Sequence, residues 1–406
     1  MDSQDSLEHG WLDELGRVQA VLAEMLARSP EEQRRLGYFH TLREICQQPA
    51  TWMHTAKLMQ ESAREISPLL KGISSLILSG SGSSEFAGDC VRMVLQKELA
   101  IDVQSIAGGT LLTHRTSAVP VGRPGLMVSI ARSGDSPESV GALELMLKTE
   151  PEFRHLVLTC NRQGSLANSF RTDPRVTVIT LDEATNDRSL VMTSSFTNLV
   201  TAARFLGLVD ESGRYQSICD DLSRAAAGLL RNHFGIVAAA GKASFRRVLF
   251  LGSGSRFAAA REAALKMVEM TAGRVTTSCE SYLGLRHGPM SAVNDETLIV
   301  GFLSTEPQTR AYESDVLREL AQKELGLFRV IAGKDVPSEL VRPGDVLIPY
   351  DGGDELKDDN VTVLDAIVGQ ILGFSRCLHE GLQPDSPSQS GVIQRVVQSF
   401  ALHLPV

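Results

Sequence analysis

Apolar residues along this chain follow two regimes. Over roughly the first 70 positions they recur at helical spacing, as at Leu12, Leu15, Val18, Leu22, Met25 and Leu26. Within that stretch Ser29-Pro30 followed by Glu31-Glu32 supplies the cap, first-turn proline and acidic first turn of a new helix. From Ile73 onward the pattern becomes short unbroken apolar runs, each leading through a small-residue turn into a helix-favouring stretch. Ile73–Leu78, Gly125–Ile130 and His155–Thr159 read as buried strands, and Arg247–Leu251, Thr297–Leu303, Phe328–Ile331 and Asp345–Ile348 repeat the theme. Strands alternating with longer helices predict an α/β fold built on parallel sheets.

One segment occurs twice. Ser79-Gly80-Ser81-Gly82-Ser83-Ser84-Glu85-Phe86-Ala87-Gly88 aligns without a gap with Leu251-Gly252-Ser253-Gly254-Ser255-Arg256-Phe257-Ala258-Ala259-Ala260. The offset of 172 residues is too long for a solenoid repeat and suits two tandem α/β domains. The expected organisation is a helical N-terminal extension over residues 1–60, a first domain over 61–225 and a second over 226–406. A helical stretch within 212–240 leads into the second domain, and a Pro- and Ser-rich tail follows Gly381. A Gly/Ser turn at a helix start lets backbone amides and hydroxyls approach an anion.

Composition narrows the choices. With 406 residues and 43% hydrophobic content the chain can bury two ordinary cores. A net charge of −9, with no standout cluster of basic residues, argues against a nucleic-acid partner. No apolar stretch approaches the roughly 18 residues of a membrane span and no secretory leader pattern opens the chain, so a cytoplasmic protein without a membrane partner is expected. The six cysteines are scattered without CxxC spacing, which predicts reduced structural thiols and no metal site.

Three polar turns are candidates for holding an anion. Ser83 and Ser84 follow the first Gly/Ser turn, and Arg132, Ser133 and Ser136 lie in Ile130-Ala131-Arg132-Ser133-Gly134-Asp135-Ser136-Pro137-Glu138-Ser139. Thr193, Ser194 and Ser195 form the third. Helix capping alone accounts for any one of them. Two such turns at the carboxyl ends of strands in one sheet would converge on the crevice where open α/β sheets bind ligands.

In the second half, Glu262, Lys266 and Glu269 are spaced i, i+4 and i+7 and share a helix face. A solvated ion-pair face is the ordinary reading of such charges, but Ala258, Ala259, Ala260, Ala263 and Ala264 around them point to a tightly packed helix. His287 precedes Gly288-Pro289, which presents the imidazole on a rigid turn. A carboxylate and an imidazole together suit acid–base work at a sugar carbon and its ring oxygen. Asp187, Arg188 and Glu280 read as solvated loop residues that border the site at most.

These motifs together resemble the sugar isomerase (SIS) family, whose double-domain members carry two flavodoxin-like sheets. Glu262-Ala-Ala-Leu-Lys266-Met-Val-Glu269 and Leu285-Arg286-His287-Gly288-Pro289 resemble the isomerase half of glucosamine-6-phosphate synthase. A closer likeness, over nearly the whole chain, is to the galactosamine-6-phosphate deaminase/isomerase group, often labelled tagatose-6-phosphate ketose/aldose isomerase. It rests on Ile45-Cys-Gln-Gln48-Pro49-Ala-Thr-Trp52, Arg132-Ser-Gly-Asp-Ser-Pro-Glu-Ser, Asp187-Arg188 with Met192-Thr-Ser-Ser, and Pro384-Asp385-Ser386-Pro387.

The resemblance implies that Ser84, Ser133 and Ser136 hold a sugar phosphate, helped by Ser83 and one of Thr193 to Ser195. It implies Glu269 as the base moving a proton between C1 and C2, His287 as an aid to ring opening supplied by a partner subunit, and Lys266 with Glu262 as the local electrostatics. A homodimer or higher homo-oligomer with a shared site follows, with a small-molecule sugar phosphate as substrate and no cofactor. Two departures stand out. Ala131-Arg132-Ser133 replaces the synthase Ser-Gln-Ser, so Arg132 is expected to add a charge-assisted contact. Arg395 aligns with a C-terminal Schiff-base lysine and cannot take that covalent role. The chain opens Met1-Asp2-Ser3 without the synthase's cysteine-nucleophile glutaminase, which favours the hydrolytic direction. The expected activity is conversion of D-galactosamine 6-phosphate to D-tagatose 6-phosphate and ammonia. A hexose-phosphate ketose/aldose isomerase, a glucosamine-6-phosphate deaminase and a non-catalytic sugar-phosphate sensor remain as alternatives.

Overall fold

The computed structural model describes residues 3–119, 122–398 and 400–403. Met1 and Asp2, at the head of the expected extension, and residues 404–406, at the end of the expected second domain, lie outside the described residues. Six helices span Ser3 to Leu70. Ser29 caps the third, accepting a bond from the Glu32 amide at 3.2 Å with Pro30 in the first turn.

Among the described residues ten strands form two five-stranded parallel sheets. In the first, β1 (Ser75–Gly80), β2 (Asp102–Ala107), β3 (Gly125–Ala131), β4 (Phe153–Thr159) and β5 (Val176–Thr180) run in the order β2-β1-β3-β4-β5. In the second, β6 (Arg247–Gly252), β7 (Thr276–Ser281), β8 (Thr297–Phe302), β9 (Phe328–Gly333) and β10 (Val346–Pro349) run β10-β9-β8-β6-β7. Read from its other edge, the second order is the first with five added to each number. Both are the flavodoxin-like order, so the sequence duplication is a duplication of topology.

The seven strands expected from apolar runs are present within about two residues of their expected ends. The three not anticipated, β2, β5 and β7, all lie on sheet edges and are partly exposed. An edge strand keeps polar positions and so lacks the continuous apolar run.

Chain segments group into two compact units. The N-sheet unit comprises Ala50–Asp187, Ser194–Cys219 and Gly391–Val406, and the C-sheet unit comprises Met1–Pro49, Arg188–Thr193 and Asp220–Ser390. Within the C-sheet unit the helices Ser255–Met270 and Thr362–His379 approach closely, because a Cβ at Gly369 would stand 2.4 Å from that of Ala263. No helix among the described residues is long and apolar enough to cross a membrane.

Candidate active site

The duplicated turn is duplicated in geometry. Gly82 and Gly254 cap their helices at φ 57° and 56°, with ψ −126° and −130°, a combination open to glycine. The preceding Gly80 and Gly252 let each strand end pass tightly against the first helical turn, where a Cβ would lie 2.4 Å from the Ser84 carbonyl carbon and 2.5 Å from the Arg256 carbonyl oxygen. What fills the two turns differs.

In the N-sheet unit Gly82 offers no capping side chain to the helix Ser83–Leu99, and Ser83 and Ser84 are buried at its start. Arg132 and Ser133 leave β3 on a turn that places Gly134 at φ 70°. The loop after β4 braces this turn: Asn161 donates to the Ser133 carbonyl at 2.8 Å, and the Ser165 amide and hydroxyl donate to Asp135 at 2.8 and 2.9 Å. Ser136 caps the helix Pro137–Thr149 through its backbone, without a side-chain cap bond. Ser83, Ser84, Ser133 and Ser136 thus begin helices or turns that leave neighbouring strands β1 and β3 in one unit.

The third polar turn has another use. Ser195 donates its amide and hydroxyl to Asp187 at 2.8 and 2.5 Å. Ser194 accepts from Asn198 at 3.2 Å, and Asp187, Ser194, Ser195 and Asn198 are all buried. Thr193 groups with the C-sheet unit, where its carbonyl accepts from Gln370 at 3.2 Å. Asp187 is therefore no solvated loop residue but the anchor of a helix start, whereas Arg188 is exposed and Glu280 half-buried on β7. Its partner lies eight residues away, and nothing local in the sequence marks the segment as buried. Arg395 joins the same region by donating to the Asp187 carbonyl at 2.8 Å and the Asn186 side chain at 2.7 Å.

In the C-sheet unit the equivalent turn is filled from within. Ser255 donates to Asp359 at 3.1 Å, Ser304 donates its hydroxyl to Asp358, and the Thr305 amide donates to Asp358 at 2.8 Å. Ser304 also donates its amide to Glu313 at 2.6 Å, and burial pushes that carboxyl up to about 7. Asp358, Asp359 and Glu313 thus accept from Ser255, Ser304 and Thr305 in this copy of the turn, and Arg256, at the position of Ser84, pairs with Asp365.

The helix after this second turn carries the charged triad. Lys266 stands 3.3 Å from Glu262 and 2.5 Å from Glu269; the Lys266 and Glu262 side chains are 1% and 0% exposed, while Glu269 retains 22%. The solvated-face reading fails here because the alanines seat the helix against Thr362–His379. Burial works against the Lys266 charge, but the two carboxylates outweigh it and raise its pKa above the ordinary value. Of the three side chains Glu269 is the one that reaches solvent, with the Lys266 ammonium beside it.

His287 is exposed and follows the short helix Tyr282–Leu285; Gly288, at φ 128°, turns the chain into Pro289. Five of the six cysteines are buried and all are free, and burial pushes the Cys46 and Cys160 thiols up to about 12. Among the described residues no three histidine, cysteine, aspartate or glutamate side chains are arranged to hold a metal ion.

No protein-family model matches the chain. It is 33% identical over 371 residues to the D-galactosamine-6-phosphate deaminase AgaS of Escherichia coli, covering 89% of this chain and 95% of that one. The crystal structure of tagatose-6-phosphate ketose/aldose isomerase from Escherichia coli matches with a TM-score of 0.79 at 30% identity, covering 88% of this chain and 97% of that chain. A Clostridium novyi NT protein, provisionally assigned the same isomerase activity, matches with a TM-score of 0.86 at 28% identity and covers 93% of this chain and 98% of its own.

Proposed function

The chain belongs to the D-galactosamine-6-phosphate deaminase AgaS family, and from that membership we propose that it converts D-galactosamine 6-phosphate and water to D-tagatose 6-phosphate and ammonia. In the open-chain aldehyde, a base takes the C2 proton and leaves an enolamine. Return of the proton to C1 gives a C2 ketimine, whose attack by water at C2 and loss of ammonia yields the ketose. Glu269 is the base: it is the member of the triad that combines solvent access with an adjacent buried cation. That pairing is the observation on which the reading rests. Lys266 sets the charge beside Glu269, and the Glu262 and Glu269 carboxylates keep Lys266 protonated in a dry setting.

Ser83, Ser84, Ser133 and Ser136 are the proposed phosphate donors, with Arg132 supplying charge. Ser195 supports the helix start through Asp187, and the turn 193–195 is not among the proposed phosphate donors. His287, on its exposed turn, assists ring opening, and the working unit is a homo-oligomer in which a partner copy supplies that side chain.

Purified protein supplied in parallel with galactosamine 6-phosphate and glucosamine 6-phosphate, with ammonia and ketose both measured, tests the reading. Ammonia from the galacto substrate alone is expected. Ketose without ammonia, or preference for the gluco epimer, would overturn it.

A further inference from the structure

Arg395 lies far along the chain from the turn that leaves β3, yet it bonds both that turn and the loop after β5. Its guanidinium donates to the Asp187 carbonyl at 2.8 Å and to Asn186 at 2.7 Å. Its own carbonyl accepts from the Arg132 guanidinium at 2.5 Å. One residue of the tail therefore holds one end of a buried arginine that belongs to another loop. All of these residues lie in the N-sheet unit.

Among the described residues of this tail, apolar burial is slight. Val392, Val397 and Phe400 are 84%, 50% and 51% exposed, and Leu402 makes an apolar contact, close against Gly141 on the helix Pro137–Thr149. The polar clasp at Arg395 ties this tail to the loops after β3 and β5. A planar fork suits that task because it meets two acceptors at once, which an ammonium on a flexible stem does not.

We infer that Arg395 is a positioning residue that acts through Arg132, aiming its charge at the substrate phosphate. The inference rests on the proposed assignment of the Arg132-Ser133 turn to that phosphate. Arg395 is a non-covalent clasp, and it sets affinity without forming a bond to substrate.

A double-mutant cycle tests this with R395A, R132A, R132A/R395A and R395K in the full chain. Inorganic phosphate is titrated by calorimetry, and KM and kcat are measured with galactosamine 6-phosphate. R395A should raise KM and weaken phosphate by a common factor of roughly tenfold, with kcat within about threefold of wild type. R395K should fall between, and R132A/R395A should bind phosphate no more weakly than R132A. Thermal melts of R395A should lie within about 2 °C of wild type, since little buried surface is lost. Unchanged phosphate affinity in R395A, or factors that multiply in the double variant, would overturn the inference. A wild-type protein that binds no phosphate also defeats it. Phosphate binding without ammonia release defeats the proposed activity and leaves the clasp standing.

Discussion

Replacing Lys266 with methionine removes the cation from the buried triad while keeping much of the side chain's length and packing. The consequence falls on Glu262, whose side chain is 0% exposed and cannot regain water, more than on Glu269 at 22%. Removing one partner of a buried ion pair costs about 3–5 kcal/mol. At roughly 2–4 °C per kcal/mol for domains of this size, the melting transition should drop on the order of 10 °C. The pH dependence has a definite sign. Without the cation, burial raises the folded-state pKa of the Glu262 carboxyl above its unfolded value of about 4.3, so the folded state binds more protons. Stability of K266M is then retained below that value and lost as the pH rises through the folded pKa. The pair E262M/K266M should cost less than K266M alone, because both desolvated charges go together. Scanning calorimetry at pH 5 and pH 8 measures each case. A K266M protein within about 1 kcal/mol of wild type, or one that gains stability from pH 5 to 8, would refute the reasoning.

Two further outcomes follow from single residues. His155 is buried on β4 and burial holds its pKa down to about 4, below an unfolded value of about 6.5. The unfolded chain therefore takes up a proton that the folded one refuses, and wild type should lose roughly 2–3 kcal/mol relative to H155L between pH 7 and pH 4.5 in urea titrations; parallel pH profiles would count against it. Gly82 has open space where a Cβ would go, so G82A meets backbone strain alone at φ 57°. It should lose about 1–3 kcal/mol and weaken phosphate binding, and a melt matching wild type would exclude that strain.

The sequence carried the fold wherever burial is continuous. Interior strands such as β1 and β3 are wholly buried and appear as apolar runs, whereas β7, exposed or half-buried along its length at a sheet edge, has no comparable signature. The triad was legible because helix period and surrounding alanines are both local. The tie from Arg132 through Arg395 to Asn186 and Asp187 was not, since its bonds span more than 200 residues of chain. Nor could spacing reveal that Ser194 and Ser195 bond to Asn198 and Asp187, or that Asp358 and Asp359 fill the second copy of the duplicated turn. Motif identity marked both turns as capable of holding an anion. Side chains arriving from distant loops distinguish them.

The most direct measurement of the central claim follows the C2 hydrogen of galactosamine 6-phosphate by NMR in deuterated buffer, with wild type and E269Q side by side and phosphate affinity measured on both. Wild type should consume the C2 hydrogen signal and release ammonia. E269Q should do both roughly 10²–10⁴-fold more slowly while binding phosphate as wild type does, since a general base typically contributes that range. Exchange and ammonia release by E269Q at wild-type rates would contradict the assignment of Glu269 as the base.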